Sequence, residues 1–325
     1  MTAPVLAIEG LKTHIHLKRG VVRAVDGVDL TVGAGETLGL VGESGSGKSM
    51  TGLSILRLLP KGAGKIVAGS IRLDGEELTT LPEKVLARDV RGRRVAMIAQ
   101  DPMTSLNPVF SIGDQVSGPF RYHGGLPRQE ARAAAVDVLQ RVRIPSPEMR
   151  LGDYPHQFSG GQRQRIVTAM AIGRGPRLLI ADEPTTALDV TIQAQMIALL
   201  RRLQQESGAG IILITHDLGV AASLCNRIAV MYAGRIVETG PVREVFRNPA
   251  HPYTRALLAA IPKLGSRGRR LVAIPGQPPS LIDPPAGCRF AARCPLKVAA
   301  CEAYPQTSAV GPDHSVACWR AGEAA

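Results

Sequence analysis

The stretch Gly42-Glu43-Ser44-Gly45-Ser46-Gly47-Lys48-Ser49 holds the residue types that phosphate binding needs. Gly42, Gly45 and Gly47 allow a backbone that curls until successive N–H groups face one anion. Lys48 places a cation on the outer phosphates, and the Ser49 hydroxyl is suited to ligate Mg²⁺. The small and apolar residues before Gly42 read as the end of a buried strand. Met50 to Leu59 has the apolar spacing of a helix, and Pro60 stops it. The positive N-terminus of that helix aims at the phosphates. The expected binding set is Gly42, Ser44, Gly45, Ser46, Gly47, Lys48, Ser49 and Met50.

A second anion-competent segment is Ser159-Gly160-Gly161-Gln162, a Ser and two Gly that open a helix. One nucleotide does not easily use both helix ends of one chain, so completion by a second subunit is expected. Leu178 to Ala181 then reads as a strand delivering Asp182 and Glu183 to a sheet edge. Asp182 suits the Mg²⁺ shell, and Glu183 suits a base or water-orienting group. An isolated Asp-Glu pair is usually a solvated strand end; following a P-loop, it reads as chemistry. Thr186-Ala187-Leu188-Asp189 comes within one turn. His216 ends the strand Ile211–Thr215, on the edge expected to carry Lys48 and Glu183. Gln100 ends the strand Val95–Ala99.

The elements that position these residues follow an α/β pattern. Ala7–Leu11, Val28–Val32 and Gly69–Leu73 read as strands, and Asp74-Gly75 as a tight turn. Pro82 to Arg94 is charged and helical or looped. Arg128–Val142 is an amphipathic helix, Ser159 starts another that runs to about Arg174, and Thr191–Glu206 is a third. Arg227–Glu238 reads as a hairpin around Ala233-Gly234. A short helix precedes Asn248-Pro249, and Pro252–Ile261 looks like another. The helical stretch at about 101–165 is an insertion into a mostly parallel sheet. From Pro262 onward Pro, Gly and Arg dominate, which reads as a linker into a small cysteine-rich region.

Bulk properties exclude some classes. With 45% hydrophobic residues in 325, the chain can bury one large or two modest domains, and no apolar run reaches a membrane span. No signal pattern opens the chain, so a soluble, cytoplasmic protein is expected. The net charge of +12 invites a nucleic-acid reading, but 31 of the 39 basic residues are Arg and aromatics are only 3%, too few for stacking platforms. Half of that excess lies in residues 241–325, which reads as a solvated basic tail or a contact with an anionic surface.

Taken together, the motifs resemble the ATP-binding subunit of an ABC transporter over about residues 5–260. They stand in the family's order: Walker A at Gly42–Ser49, Q-loop at Gln100, signature at Ser159–Gln162, Walker B ending at Asp182 with Glu183 after it, D-loop at Ala187–Asp189 and switch His216. The resemblance implies a P-loop ABC ATPase core with an N-terminal antiparallel β subdomain and an inserted helical subdomain. It implies that two such domains sandwich two ATP molecules head to tail, with Asp189 at the nucleotide and Gln100 touching Mg²⁺. Asn248–Thr254, Pro275–Leu281 and Gly287–Pro295 resemble the oligopeptide, dipeptide and nickel importers, and Leu179–Thr186 their D-type ATPase. That likeness implies residues 1–260 as the ATPase domain and 261–325 as a C-terminal region. It also implies a non-identical F-type ATPase partner, two membrane permease subunits and an extracytoplasmic binding protein, with this chain peripheral on the cytoplasmic face of the inner membrane. Peptide is the expected cargo; the alternatives are nickel or another small solute, a soluble ABC ATPase acting on nucleic acid, or a mainly regulatory protein. One departure is that His14-Ile15-His16 stands where the family usually has an aromatic residue for adenine.

Cys288, Cys294, Cys301 and Cys318 are spaced C-x5-C-x6-C-x16-C. A cytoplasmic setting disfavours disulfides, and the paired C-x2-C knuckles common in zinc sites are absent. A [4Fe–4S] cluster, Zn²⁺ or unligated structural cysteines remain, and the peptide-importer likeness favours the cluster. Cys225, in an apolar stretch after His216, reads as core.

Overall fold

The computed structural model describes residues 3–186, 188–261 and 273–323. It divides into two compact units. One contains Val32–Glu36 and Thr80–Leu213; the other contains Leu6–Thr31, Thr37–Thr79 and the described residues from Ile214 onward.

In the second unit a four-stranded sheet has the order Gly20–Val32, Leu6–Leu17, Gly64–Leu73, Glu76–Glu77. Leu6–Leu17 runs antiparallel to Gly64–Leu73, with Leu6 opposite Leu73 and Ile8 opposite Ile71. The strands are longer than the alternation predicts because a bulge shifts register between Glu9 and Lys12. Leu6 and Ile8 point inward before it, and Leu11 and Thr13 after it. The period of two is thereby broken in sequence while one face stays buried. Gly69 serves this irregularity: at φ +92° a β-carbon there would meet the Leu11 Cα at 2.5 Å.

The same unit holds a row of five strands in the order Ser308–Gly311, His314–Val316, Arg235–Pro241, Arg227–Tyr232, Thr37–Val41. Thr37–Val41 is buried throughout and parallel to Arg227–Tyr232; the others pair antiparallel. The predicted hairpin forms at Ala233-Gly234, both with positive φ (46° and 86°), the backbone of a twisted two-residue turn. The hairpin Ser308–Val316 is unanticipated. Its strands have four and three residues, too few to show an alternation. It makes the described tail an extension of this sheet, with Val316 opposite Glu238. The predicted linker from Pro262 lies outside the described residues up to 272.

In the first unit the strands Gly210–Thr215, Leu178–Asp182 and Val95–Ile98 lie in that order; the last two residues of the first belong to the second unit. Val95–Ile98 and Leu178–Asp182 are parallel, with Val95 opposite Leu178. Their near-continuous apolar runs are those of strands covered on both faces. The helices Ile112–Tyr122, Arg128–Arg141 and Gly160–Ile172 pack on one another as the inserted helical region. Ala131, Ala135, Val138 and Leu139 form the buried stripe of the second, at helical spacing. Among the described residues no helix is long and apolar enough to cross a membrane.

Candidate functional site

In the second unit the loop Gly42–Gly47 leads from the strand Thr37–Val41 into the helix Lys48–Leu56, which starts two residues before the predicted Met50. Two of its glycines are dictated by close approach. A β-carbon at Gly42 would lie 2.1 Å from the Met231 carbonyl oxygen, and one at Gly47 would lie 2.2 Å from that of Ala24. No side chain caps this helix, and its first turn carries no acidic residue. Its N-terminal donors and the partial positive charge of the helix end therefore suit an anion. The buried Lys48 ammonium donates to the carbonyl oxygens of Gly42 and Glu43, both at 2.8 Å, and to Ser46 Oγ at 3.4 Å. Ser44 and Gly45 are exposed at the tip, and Ser49 and Met50 are half-buried. His216 is exposed just past the strand Gly210–Thr215. Asp217 after it caps the helix Leu218–Leu224, accepting from the N–H groups of Gly219 and Val220.

In the first unit Asp182 is buried at the end of its strand. Glu183 follows with φ +46°, a left-handed conformation that costs a non-glycine residue about 1–2 kcal/mol and recurs at functional positions. Gln100 Nε2 donates to Glu183 Oε2 at 3.0 Å, and Thr186 Oγ1 donates to the same oxygen at 2.9 Å. Residues 83 apart thus meet at the ends of two neighbouring parallel strands.

The signature segment is less open than its sequence implies. Ser159 Oγ accepts from the Gln162 N–H, and Gln162 Oε1 accepts from the Ser159 N–H, a reciprocal capping box. Gly161 lies against Ile192, where a β-carbon would come within 2.7 Å; Gly160 is exposed and unobstructed. Asp189 caps the helix Val190–Ser207 through the Ile192 N–H at 2.9 Å. Ala187 of the predicted D-loop lies outside the described residues.

The four tail cysteines share one neighbourhood without forming a ligand set. Burial is the largest cause raising the thiols of Cys288, to about 11, and of Cys294 and Cys318, and the charges of the other tail cysteines add to it. The backbone N–H groups of Phe290, Leu296 and Arg320 each hydrogen-bond the cysteine sulfur two residues earlier. Such donors favour a thiolate, so the surroundings fit metal-bound sulfur. Yet among the described residues no group of three or more His, Cys, Asp or Glu is gathered closely enough to hold a metal ion. The expected cluster is not supported by this geometry. None of the five cysteines is in a disulfide, and burial pushes the Cys225 thiol up to about 12, as suits a core residue.

Sequence reasoning missed a set of contacts on the P-loop. Arg293 forks onto Glu43, with Nη1 to Oε2 at 2.7 Å and Nη2 to Oε1 at 3.0 Å, and the Glu43 N–H donates to Tyr253 Oη at 2.9 Å. No spacing signals a pair 250 residues apart.

Fold and site together define a P-loop nucleotide-binding protein with a helical insertion. The family profile described as ABC transporter matches residues 25–186, and that described as oligopeptide/dipeptide transporter, C-terminal region, matches residues 237–301. The chain is 52% identical to a putative peptide import ATP-binding protein of Brucella abortus, over 98% of this chain and 97% of the relative. It is 46% identical to the dipeptide transport ATP-binding protein DppD of Bacillus subtilis, over 97% and 94%. The ATP-binding cassette MJ0796, solved as a dimer bound to ADP and Pi, superposes with a TM-score of 0.65 at 27% identity, covering 73% of this chain and 99% of that one. This chain belongs to the ABC transporter family, as an ATP-binding subunit.

Proposed function

We propose that the chain is the ATP-hydrolysing subunit of a peptide importer. Support for the cargo is the near full-length likeness to peptide import ATP-binding proteins and the matched C-terminal region. The observation that carries the chemistry is the Gln100–Glu183–Thr186 constellation past two parallel strands.

In this reading the uncapped helix end, the loop N–H groups and Lys48 bind the phosphates of ATP; Gly42 and Ser44 through Met50 form that set. By family likeness the Ser49 hydroxyl, the Asp182 carboxylate and the Gln100 amide oxygen would be the donors to Mg²⁺. Mg²⁺, when bound, would supply positive charge that offsets the charge of the phosphates. Glu183 accepts a proton from the attacking water as its oxygen bonds to the γ-phosphorus and the bond to the β–γ bridging oxygen breaks. Gln100 and Thr186 hold the carboxylate in one orientation. By family likeness His216 would serve as a hydrogen-bonding partner of the γ-phosphate. Ser159, Gly160, Gly161, Gln162 and Asp189 serve the nucleotide of a second ATPase subunit, an F-type chain.

Two permease subunits and an extracytoplasmic binding protein complete the importer, with this chain peripheral on the cytoplasmic face. The ATPase domain is residues 1–260 and the C-terminal region 261–325. Cys288, Cys294, Cys301 and Cys318 would hold a [4Fe–4S] cluster, with Zn²⁺ as the alternative; backbone N–H donors on the sulfurs of Cys288, Cys294 and Cys318 support this.

Reconstitution of the purified chain with its F-type partner, permeases and binding protein in vesicles tests the proposal. Peptide accumulation that depends on MgATP and disappears in Glu183→Gln is expected. Transport that persists in that variant overturns the catalytic reading, and ATP turnover stimulated by nickel but not by peptide overturns the cargo.

A further inference from the structure

Glu43 lies between the phosphate lysine and the tail. Its carbonyl oxygen accepts from Lys48 Nζ at 2.8 Å and from the Ser46 N–H at 3.2 Å. Its N–H donates to Tyr253 Oη, and its carboxylate receives both terminal nitrogens of Arg293. Every polar group of this residue is thus tied, on one side to the loop and on the other to residues beyond 250. The Arg293 side chain is only 4% exposed and is held on three further oxygens: Pro275 O at 2.9 Å, Tyr232 Oη at 3.2 Å and Ile274 O at 3.4 Å. Beneath it the rings of Tyr232, Tyr253 and Phe290 pack with centroids 4.5 to 5.4 Å apart. A planar guanidinium with so many fixed partners cannot swing freely, so the carboxylate it grips is fixed too.

We propose that Arg293 and Tyr253 are positioning residues that clamp Glu43, so that residues beyond 250 hold the P-loop in its phosphate-binding shape. A glycine-rich loop has much conformational freedom to lose on binding phosphate. A loop already held loses less, and its affinity rises accordingly. The clamp acts on ATP binding and not on the chemical step, because neither residue reaches the Gln100–Glu183 pair through any of these contacts. The inference rests on the reading of this loop as an ATP site.

The test uses the full-length chain in the assembled transporter. MgATP affinity is measured by fluorescent-nucleotide titration well below the melting temperature, together with KM and kcat, for Arg293→Ala, Arg293→Lys, Glu43→Gln, Tyr253→Phe and the double variant Glu43→Gln/Arg293→Ala. Arg293→Ala is expected to weaken MgATP binding about tenfold, the scale of one bidentate charge-assisted pair. KM should rise alike while kcat stays within about twofold. Arg293→Lys should recover part of the affinity, and Tyr253→Phe should lose about threefold. The double variant should bind no worse than Arg293→Ala, since both remove one interaction. Affinity unchanged in Arg293→Ala and Glu43→Gln, additive losses, or a fall in kcat at constant KM each overturn the clamp alone. A wild-type chain that fails to bind MgATP overturns both the clamp and the ATP reading. If Arg293→Ala does not fold, Glu43→Gln and Tyr253→Phe, which preserve shape, decide the matter.

Discussion

Gln100 and Glu183 share a hydrogen bond of 3.0 Å from amide nitrogen to carboxylate oxygen, and Thr186 donates to the same oxygen at 2.9 Å. Glu183→Gln preserves the shape of this group but removes its ability to accept a proton. Phosphate release by the assembled transporter should fall at least about 100-fold, the lower range for loss of a general base, while MgATP binding is retained. A variant that hydrolyses ATP at the wild-type rate would falsify the assignment.

Gln100→Ala removes a donor that orients Glu183 and leaves Thr186 in place. Transport should decline more than MgATP affinity, as befits a residue linking the sheet to the helical insertion. Equal losses in both measurements would contradict that role.

The glycines of the loop should respond differently. A β-carbon at Gly47 meets the Ala24 carbonyl oxygen at 2.2 Å, whereas none obstructs Gly45. Gly47→Ala is expected to abolish MgATP binding because loop and neighbouring backbone must part. Gly45→Ala should cost only the left-handed backbone penalty, about 1–2 kcal/mol, and fold. Calorimetric titration of both variants checks this order.

His251 gives the protein a pH-dependent stability. Burial lowers its imidazole to about 3 from 6.5, and its Nδ1 accepts from the Tyr253 N–H at 3.0 Å. The folded chain thus keeps it neutral while the unfolded chain takes up a proton below about pH 6.5. Its contribution is complete above that pH and is lost progressively as pH falls toward 3. His251→Asn keeps a capping acceptor and removes the titration, so denaturant midpoints between those values should depend less on pH than in the wild type. An identical pH slope in both proteins would rule out this source.

Anaerobic purification followed by iron, sulfide and zinc analysis tests the tail cysteines. About four irons per chain and a brown colour, both lost in Cys294→Ser, are expected of the cluster. Stoichiometric zinc without iron would assign the site to zinc.

Most of the nucleotide machinery was legible because its physics is local. A glycine-rich turn, a lysine at the start of a helix and carboxylates at the end of an apolar strand all act between residues a few positions apart. The boundaries of the N-terminal strands were less legible, since the bulge near Glu9–Lys12 changes which residues alternate. The tail was least legible. Its strands are short, and what anchors it is spread along the chain: Asp26, 6% exposed, receives both Arg289 and Arg235, and Arg235 stacks 3.9 Å over the Tyr304 ring.

By itself the amino-acid sequence determined the order of the motifs, the elements on which they sit and the chemistry each residue type can perform. Those follow from backbone preferences and apolar periodicity, which are written in consecutive residues. Only the tertiary structure decided that Gln100 reaches Glu183, that Arg293 grips Glu43 and that Arg289 reaches Asp26. Such pairs, separated by 83, 250 and 263 positions, leave no periodic trace, because an ion pair or hydrogen bond depends on where two side chains arrive and not on how far apart they stand along the chain.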